Sequence, residues 1–226
     1  MQKPVKSVLR LVKCSFNGVI ITSKETITPF LLKNNNRLVS VSVVAKKIIE
    51  DYIDTFQKAN MKIVSFLVQN QALSKSLIYK DDIDTYCIVK IEKNYIVVSI
   101  VSAGIVLYTS TINKTLFDQD LIPERREILE EVIKDIYRII MFWISYVEEN
   151  NDYGLNKIKS IIVSSTHSNI MESEFINMMT SKLALQIDKS NVWINVFDLN
   201  NEIPLIHKID SYQYATAIGL ALPKLK

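Results

Sequence analysis

Side chains able to do chemistry are few in this chain, and they are scattered. Asp81, Asp82 and Asp84 stand together, as carboxylates must to hold a metal pair. They fall between apolar runs, however, in a stretch that reads as a solvated connecting turn. His167 and His207 are the only histidines, and no serine has the flanking glycines of a nucleophile elbow. Cys14 and Cys87 lie in apolar, strand-like runs and read as buried free thiols suited to a reducing compartment. No close Cys/His pair offers zinc ligand spacing. Two lysines in matching settings remain. Lys13 precedes Asn17-Gly18, and Lys90 precedes Asn94, each within a strand–turn–strand segment. A protonated amine there could face an anion, but it cannot ligate a divalent cation.

The elements that must position these residues follow from periodicity. Val8–Lys13 and Val19–Thr22 flank a hairpin turn at Phe16-Asn17-Gly18, and Leu38–Ala45 alternates as a half-buried strand does. The spacing of Ile48, Ile49, Tyr52, Ile53 and Phe56 predicts a helix over 46–59, with Asn60 as its C-terminal cap. A strand is expected at Lys62–Val68 and a short helix at Gln71–Ile78. Tyr86–Ile91, Tyr95–Val101 and Ile105–Ile112 read as antiparallel strands, the last two joined by a turn at Ala103-Gly104. Pro123 stands near the start of a long helix whose buried stripe is Ile128, Val132, Ile136, Ile139, Trp143 and Tyr146. Glu124 to Arg138 supply that helix with a mixed-charge, solvated face. Strand Ile158–Ser164, helix Met171–Leu185, strand Val192–Phe197 and helix Tyr212–Leu222 complete the series, with Tyr212 and Tyr214 expected to pack.

The series repeats. Val12–Thr22 lies over Val89–Ser99 with valine, lysine and asparagine coinciding, and each copy leads into a third strand, a helix, a strand and another helix. An internal duplication of this kind is a fold-level signal. It divides the chain into a first half over 1–83 and a second over 84–226. The 226 residues are 48% hydrophobic and carry a formal charge of +3 from 27 basic and 24 acidic residues. That composition supports a core without disulfides and excludes disorder. The charge balance gives no field that points to nucleic acid. The Tyr95–Tyr108 stretch is too short for a membrane span, and no signal segment opens the chain.

Three antiparallel strands followed by alternating helices and strands make a ribonuclease-H-like unit, and two such units make an actin-like ATPase core. On the stretches Val41–Tyr52, Phe56–Met61, Ala103–Ile112 and Ala215–Leu222, the chain resembles the PilM-like proteins of type IV pilus assembly, relatives of FtsA and of the GspL cytoplasmic domain. Val41–Tyr52 looks like that family's strand-into-helix segment, and Phe56–Met61 like the end of the helix. Ala103–Ile112 looks like its third strand, and Ala215–Leu222 like its closing helix.

The resemblance implies an α/β fold: a duplicated core of mixed sheets flanked by helices, with the small subdomains reduced or absent at Thr22–Leu38 and Asn113–Arg126. It also implies where phosphates would sit, namely in the first turn of each half, where the family reads Asp-x-Gly. Here Lys13 and Lys90 stand in place of aspartate, with Asn17, Gly18 and Asn94 in the turns, and Val163–Asn169 has no glycine where the family turns around adenosine. The expectation is a pseudo-ATPase with no catalytic residues, cofactor or metal. It would act as a cytoplasmic scaffold peripheral to the inner membrane in a type IV pilus or type II secretion-like assembly. Its implied partners are the cytoplasmic segment of a PilN-like membrane protein and an assembly ATPase. The PilN-like segment would bind around Leu38, Val41, Val43, Tyr52 and Phe56. The alternative is a nucleotide-binding actin-like ATPase with divergent phosphate loops.

Overall fold

The computed structural model describes residues 15–16, 19–24, 40–114, 125–149, 156–166, 174–198, 202 and 204–222, with backbone alone at 15–16, 19–24, 40–43, 125 and 209. The chain forms two compact units that divide between Val68 and Gln69. The stretch after Val68 belongs to the second unit because its helix packs on the chain's last helix and on a strand of the second sheet.

The first unit holds β1 (Ser15–Phe16), β2 (Val19–Lys24) and β3 (Ser40–Ala45), antiparallel in that order. Val43 pairs with Ile21 and Val41 with Ser23. Helix α1 (Lys46–Lys58) follows β3 without a loop. Asn60 takes φ 57°. Its amide bonds to Gln57 O at 2.9 Å, and Met61 N bonds to Phe56 O at 2.8 Å. This paired closure is a Schellman motif, in which a left-handed Asn satisfies carbonyls that the helix leaves open.

The expected strand at Lys62–Val68 does not form. These residues lie in no ladder among the described residues, and β-pattern makes a strand only where the backbone is paired. With the end of α1 they line a groove of about 460 Å³ bounded by Ile53, Gln57, Met61, Val64 and Phe66.

The second unit opens with α2 (Gln69–Leu77) and the antiparallel strands β4 (Thr85–Ile91), β5 (Ile96–Ser102) and β6 (Ile105–Ile112). Then come α3 (Arg125–Glu149), β7 (Ile158–Ser165), α4 (Glu174–Leu183), β8 (Gln186–Lys189), α5 (Lys208–Ser211), a 3₁₀ turn at Tyr212–Tyr214 and α6 (Ala215–Ala221).

The sheet runs β6-β5-β4-β7-β8. Its first three strands are antiparallel, and β7 and β8 continue parallel to β4. β4, β5 and most of β7 are buried, as central strands with covered faces must be. The core joins Val89, Ile91, Val98 and Ile100 to Val132, Ile136, Ile140 and Trp143 of α3 and to Phe175 and Met179 of α4. Tyr146, expected in the α3 stripe, is instead 38% exposed. Its ring meets Phe142 at 6.2 Å and Trp143 at 5.7 Å.

On the opposite sheet face, α6 crosses α2. Gly219 is buried there, and a Cβ on it would stand 1.8 Å from the Ala72 carbonyl oxygen. Only a residue without a side chain permits that approach. The strand expected at Val192–Phe197 is instead a series of turns that brings Val192 into the core. The pairing strand is β8, which begins after Ala184 ends α4 at φ 47°.

Candidate functional site

The second of the two matching turns is fully described. The first, with Lys13, Asn17 and Gly18, lies outside the described residues, as does Leu38. Lys90 is the penultimate residue of β4, paired with Val97 on β5 and Ser164 on β7. Alternation along β4 puts Lys90 on the sheet face opposite Val89 and Ile91, the face on which α2 lies. It is 1% exposed. Its ammonium donates no hydrogen bond among the described residues, and the Glu92 carboxylate stands 3.9 Å away at Oε1. Burial pulls the Lys90 pKa down, and the Glu92 charge partly opposes the shift.

Glu92 is held from two further directions. Gln69, the first residue of α2, donates its Nε2 to Oε1 at 3.1 Å, and Thr166 donates Oγ1 to Oε2 at 3.4 Å. Thr166 N also bonds to Ile91 O at 3.3 Å, which ties the end of β7 to the end of β4. The turn itself closes with Glu92 N on Tyr95 O at 3.0 Å. Neither Lys93 nor Asn94 adopts positive φ, so this turn holds its shape without glycine.

Three more buried hydroxyls, on Ser160, Ser164 and Ser190, make no hydrogen bond among the described residues. Ser164 is the register partner of Lys90, and Ser190, whose amide bonds to Val163 O at 3.0 Å, stands one rung beyond the β7–β8 pairing. A buried ammonium and two hydroxyls thus gather near the carboxyl ends of three parallel strands, where open α/β sheets place their ligands. A lysine at this position has no lone pair for a divalent cation while protonated, so residue 90 cannot handle a metal and its waters as a carboxylate would.

Elsewhere the candidates separate. Asp82 accepts the Asp84 amide at 2.8 Å and the Tyr86 hydroxyl at 2.7 Å, and Asp84 accepts Lys159 Nζ at 2.6 Å. Asp82 and Asp84 are therefore engaged by their own turn, by Tyr86 and by one surface ion pair. Cys87 is wholly buried, and burial pushes its thiol up to about 12; a thiol held this way is not a nucleophile. His207 is exposed, and His167 lies outside the described residues. Tyr212 is buried, whereas Tyr214 is 45% exposed. Tyr52 and Phe56 of α1 are 54% and 37% exposed, and none of α1's residues is buried. The sequence pattern did not single out Gln69, Thr166, Ser164 or Ser190, because only the register of strands far apart in the chain brings them to Lys90.

The fold is that of the actin-like ATPases. The structure of a PilM-PilN type IV pilus biogenesis complex matches 92% of this chain and 67% of its own chain, with TM-score 0.64 and 14% identity. The ethanolamine utilization protein EutJ from Carboxydothermus hydrogenoformans matches 79% of this chain and 61% of its own, with TM-score 0.46 and 13% identity. No family model and no curated protein matches the sequence. Among the described residues, no helix is long and apolar enough to cross a membrane.

Proposed function

We propose that this chain is a non-catalytic scaffold of an inner-membrane type IV pilus or type II secretion-like assembly, working at the cytoplasmic side by binding the cytoplasmic segment of a PilN-like membrane protein. The observation that carries this reading is Lys90. A buried ammonium stands at the head of the second turn, where an ATPase of this fold needs a carboxylate. The neighbouring acid, Glu92, is already engaged by Gln69 and Thr166. A turn so filled by its own side chains favours a retained architecture over retained hydrolysis. The exposed apolar face of α1, with Tyr52 and Phe56, supports a peptide-binding role.

Calorimetric titration with ATP and magnesium tests the catalytic side of the proposal. The expected result is no heat of binding at micromolar nucleotide and no phosphate release. Micromolar binding that Lys90→Ala abolishes would overturn it in favour of a divergent ATPase. The binding side is read by fluorescence anisotropy with a labelled synthetic peptide of a PilN-like cytoplasmic tail. Tyr52→Ser with Phe56→Ser is expected to weaken that binding at least tenfold, and an unchanged affinity would move the groove away from α1.

A further inference from the structure

The β6 margin of the second sheet combines three features that the scaffold reading does not use. β6 is an edge strand, and among the described residues no strand lies beyond it. Exposed edges are ordinarily blunted by lysine, proline or a bulge. The β5–β6 pairing does slip once, between Ile100 and Val101, but from Tyr108 to Ile112 the register runs unbroken and holds no charge and no proline.

Beside that stretch lies an aromatic shelf. The Tyr108 ring meets Phe142 of α3 at 5.2 Å, and Phe142 meets Tyr146 at 6.2 Å. Tyr146 in turn leans on Trp143 at 5.7 Å. Trp143 is in the core, but Phe142 is 50% and Tyr146 38% exposed. The rings are thus fixed by one another and by the core while their outer surfaces meet solvent. The third feature is charge. α3 ends in Glu148 and Glu149, both exposed, and its last turn has no basic residue. The acids therefore add to the negative end of the helix dipole instead of being offset by it.

We infer that the β6 edge and the Phe142–Tyr146 shelf form a docking surface for an extended, basic peptide that adds to the sheet beyond β6. The chemistry divides between the three features. Main-chain bonds to Tyr108–Ile112 supply the strand pairing, and an apolar side chain on alternate positions rests on Phe142. Arginine beside it stacks on the Tyr146 ring and answers Glu148 and Glu149. The same acids disfavour an anionic lipid surface, and they disfavour a second copy presenting the same patch.

The probe is a fluorescein-labelled peptide of alternating valine and threonine with a central phenylalanine and arginines at one end. Its companion carries glutamate in place of arginine. Fluorescence anisotropy is expected to show saturable binding of the arginine peptide, weaker by at least tenfold for the glutamate peptide. Hydrogen exchange should slow at the amides of Tyr108–Ile112 when the arginine peptide is bound. The double variant Phe142→Ser, Tyr146→Ser should lose binding. Glu148→Lys with Glu149→Lys, which touches only exposed positions, should reverse the preference between the two peptides. Equal affinity for both peptides, or binding that ignores the charge reversal, overturns the proposal. So does capture by phosphatidylserine vesicles that requires Phe142, and so does a concentration-dependent dimer that Phe142→Ser dissolves.

Discussion

Lys90 and Ser164 face each other across β4 and β7, and neither the ammonium of one nor the hydroxyl of the other has a hydrogen-bond partner among the described residues. A buried cation with no hydrogen bond among the described residues and its counter-charge 3.9 Å away is costly, and its replacement by an apolar chain of similar volume is commonly neutral or stabilising. Lys90→Met is therefore expected to raise stability by about 1–2 kcal/mol, read as a higher urea midpoint with an unchanged slope. Lys90→Asp puts a second carboxylate beside Glu92 and should lower stability by about 3 kcal/mol. A Lys90→Met chain clearly weaker than the parent would show that the ammonium holds something in solution, such as water or an anion.

Two buried groups make opposite contributions at alkaline pH. The Lys90 pKa is lowered from 10.5 on folding, so the unfolded chain binds the extra proton between the folded value and 10.5. Stability from this group rises with pH across that window. Cys87 is raised from 9.0 to about 12, so above pH 9 the unfolded thiol ionises while the folded one does not. Stability from that group falls as pH climbs from 9 toward 12. Urea unfolding across this range should therefore fall more steeply in Lys90→Met than in the parent. In Cys87→Ala the alkaline decline should be reduced, whatever constant loss its cavity brings. Parallel pH profiles for all three chains would contradict the assigned burial of both groups.

The crossing of α2 and α6 gives a prediction whose sign is decided by two opposed magnitudes. In a helix interior, glycine to alanine ordinarily gains about 1 kcal/mol. At Gly219 the new methyl meets Ala72 O at 1.8 Å, Ala72 C at 2.5 Å and Ala72 Cα at 3.1 Å. These are main-chain atoms that cannot rotate aside, so the helices must separate. Overpacking of this kind costs about 1–3 kcal/mol and exceeds the propensity gain. Gly219→Ala should therefore be less stable by urea or thermal unfolding. Adding Ala72→Gly should not restore it, because the clash is with backbone. A Gly219→Ala chain at or above parental stability would remove the close crossing.

Much of the second unit was legible in the sequence, because its strands carry strong local signals. The apolar run of β4, the pair β5 and β6 about Ala103-Gly104, and the stripe through Val132, Ile136 and Trp143 appear in the structure at their expected places. Asn60 also closes α1 as its type suggests. The errors share a cause. Gln186–Lys189 has weak β preference and becomes a strand only because β7 offers it an edge. Val192–Phe197 has strong preference and no ladder among the described residues, as does Lys62–Val68. Pairing, not propensity, decided all three. The site was half legible for the same reason. The pattern isolates Lys90, whereas its meeting with Ser164, Gln69 and Thr166 depends on register and on where α2 packs.

The hairpin between β5 and β6 carries one further strain that can be relieved. Ser102 pairs with Ile105, leaving Ala103 and Gly104 as a two-residue loop with φ 48° and 72°. Two left-handed residues make the turn whose twist matches the flanking strands. Glycine takes this conformation freely, but alanine pays about 1 kcal/mol for it. Asparagine tolerates left-handed φ better and forms the preferred Asn-Gly pair. Ala103→Asn should accordingly raise stability by about 0.5–1 kcal/mol. Ala103→Gly should help less, because it also loosens the unfolded chain. Ala103→Val should lower stability, since a branched side chain resists positive φ. The order Asn, Gly, Ala, Val in urea midpoint, with peptide binding at the β6 edge unchanged between Asn and Ala, is the expected outcome. A valine variant as stable as the asparagine one would show that the loop does not adopt the left-handed pair.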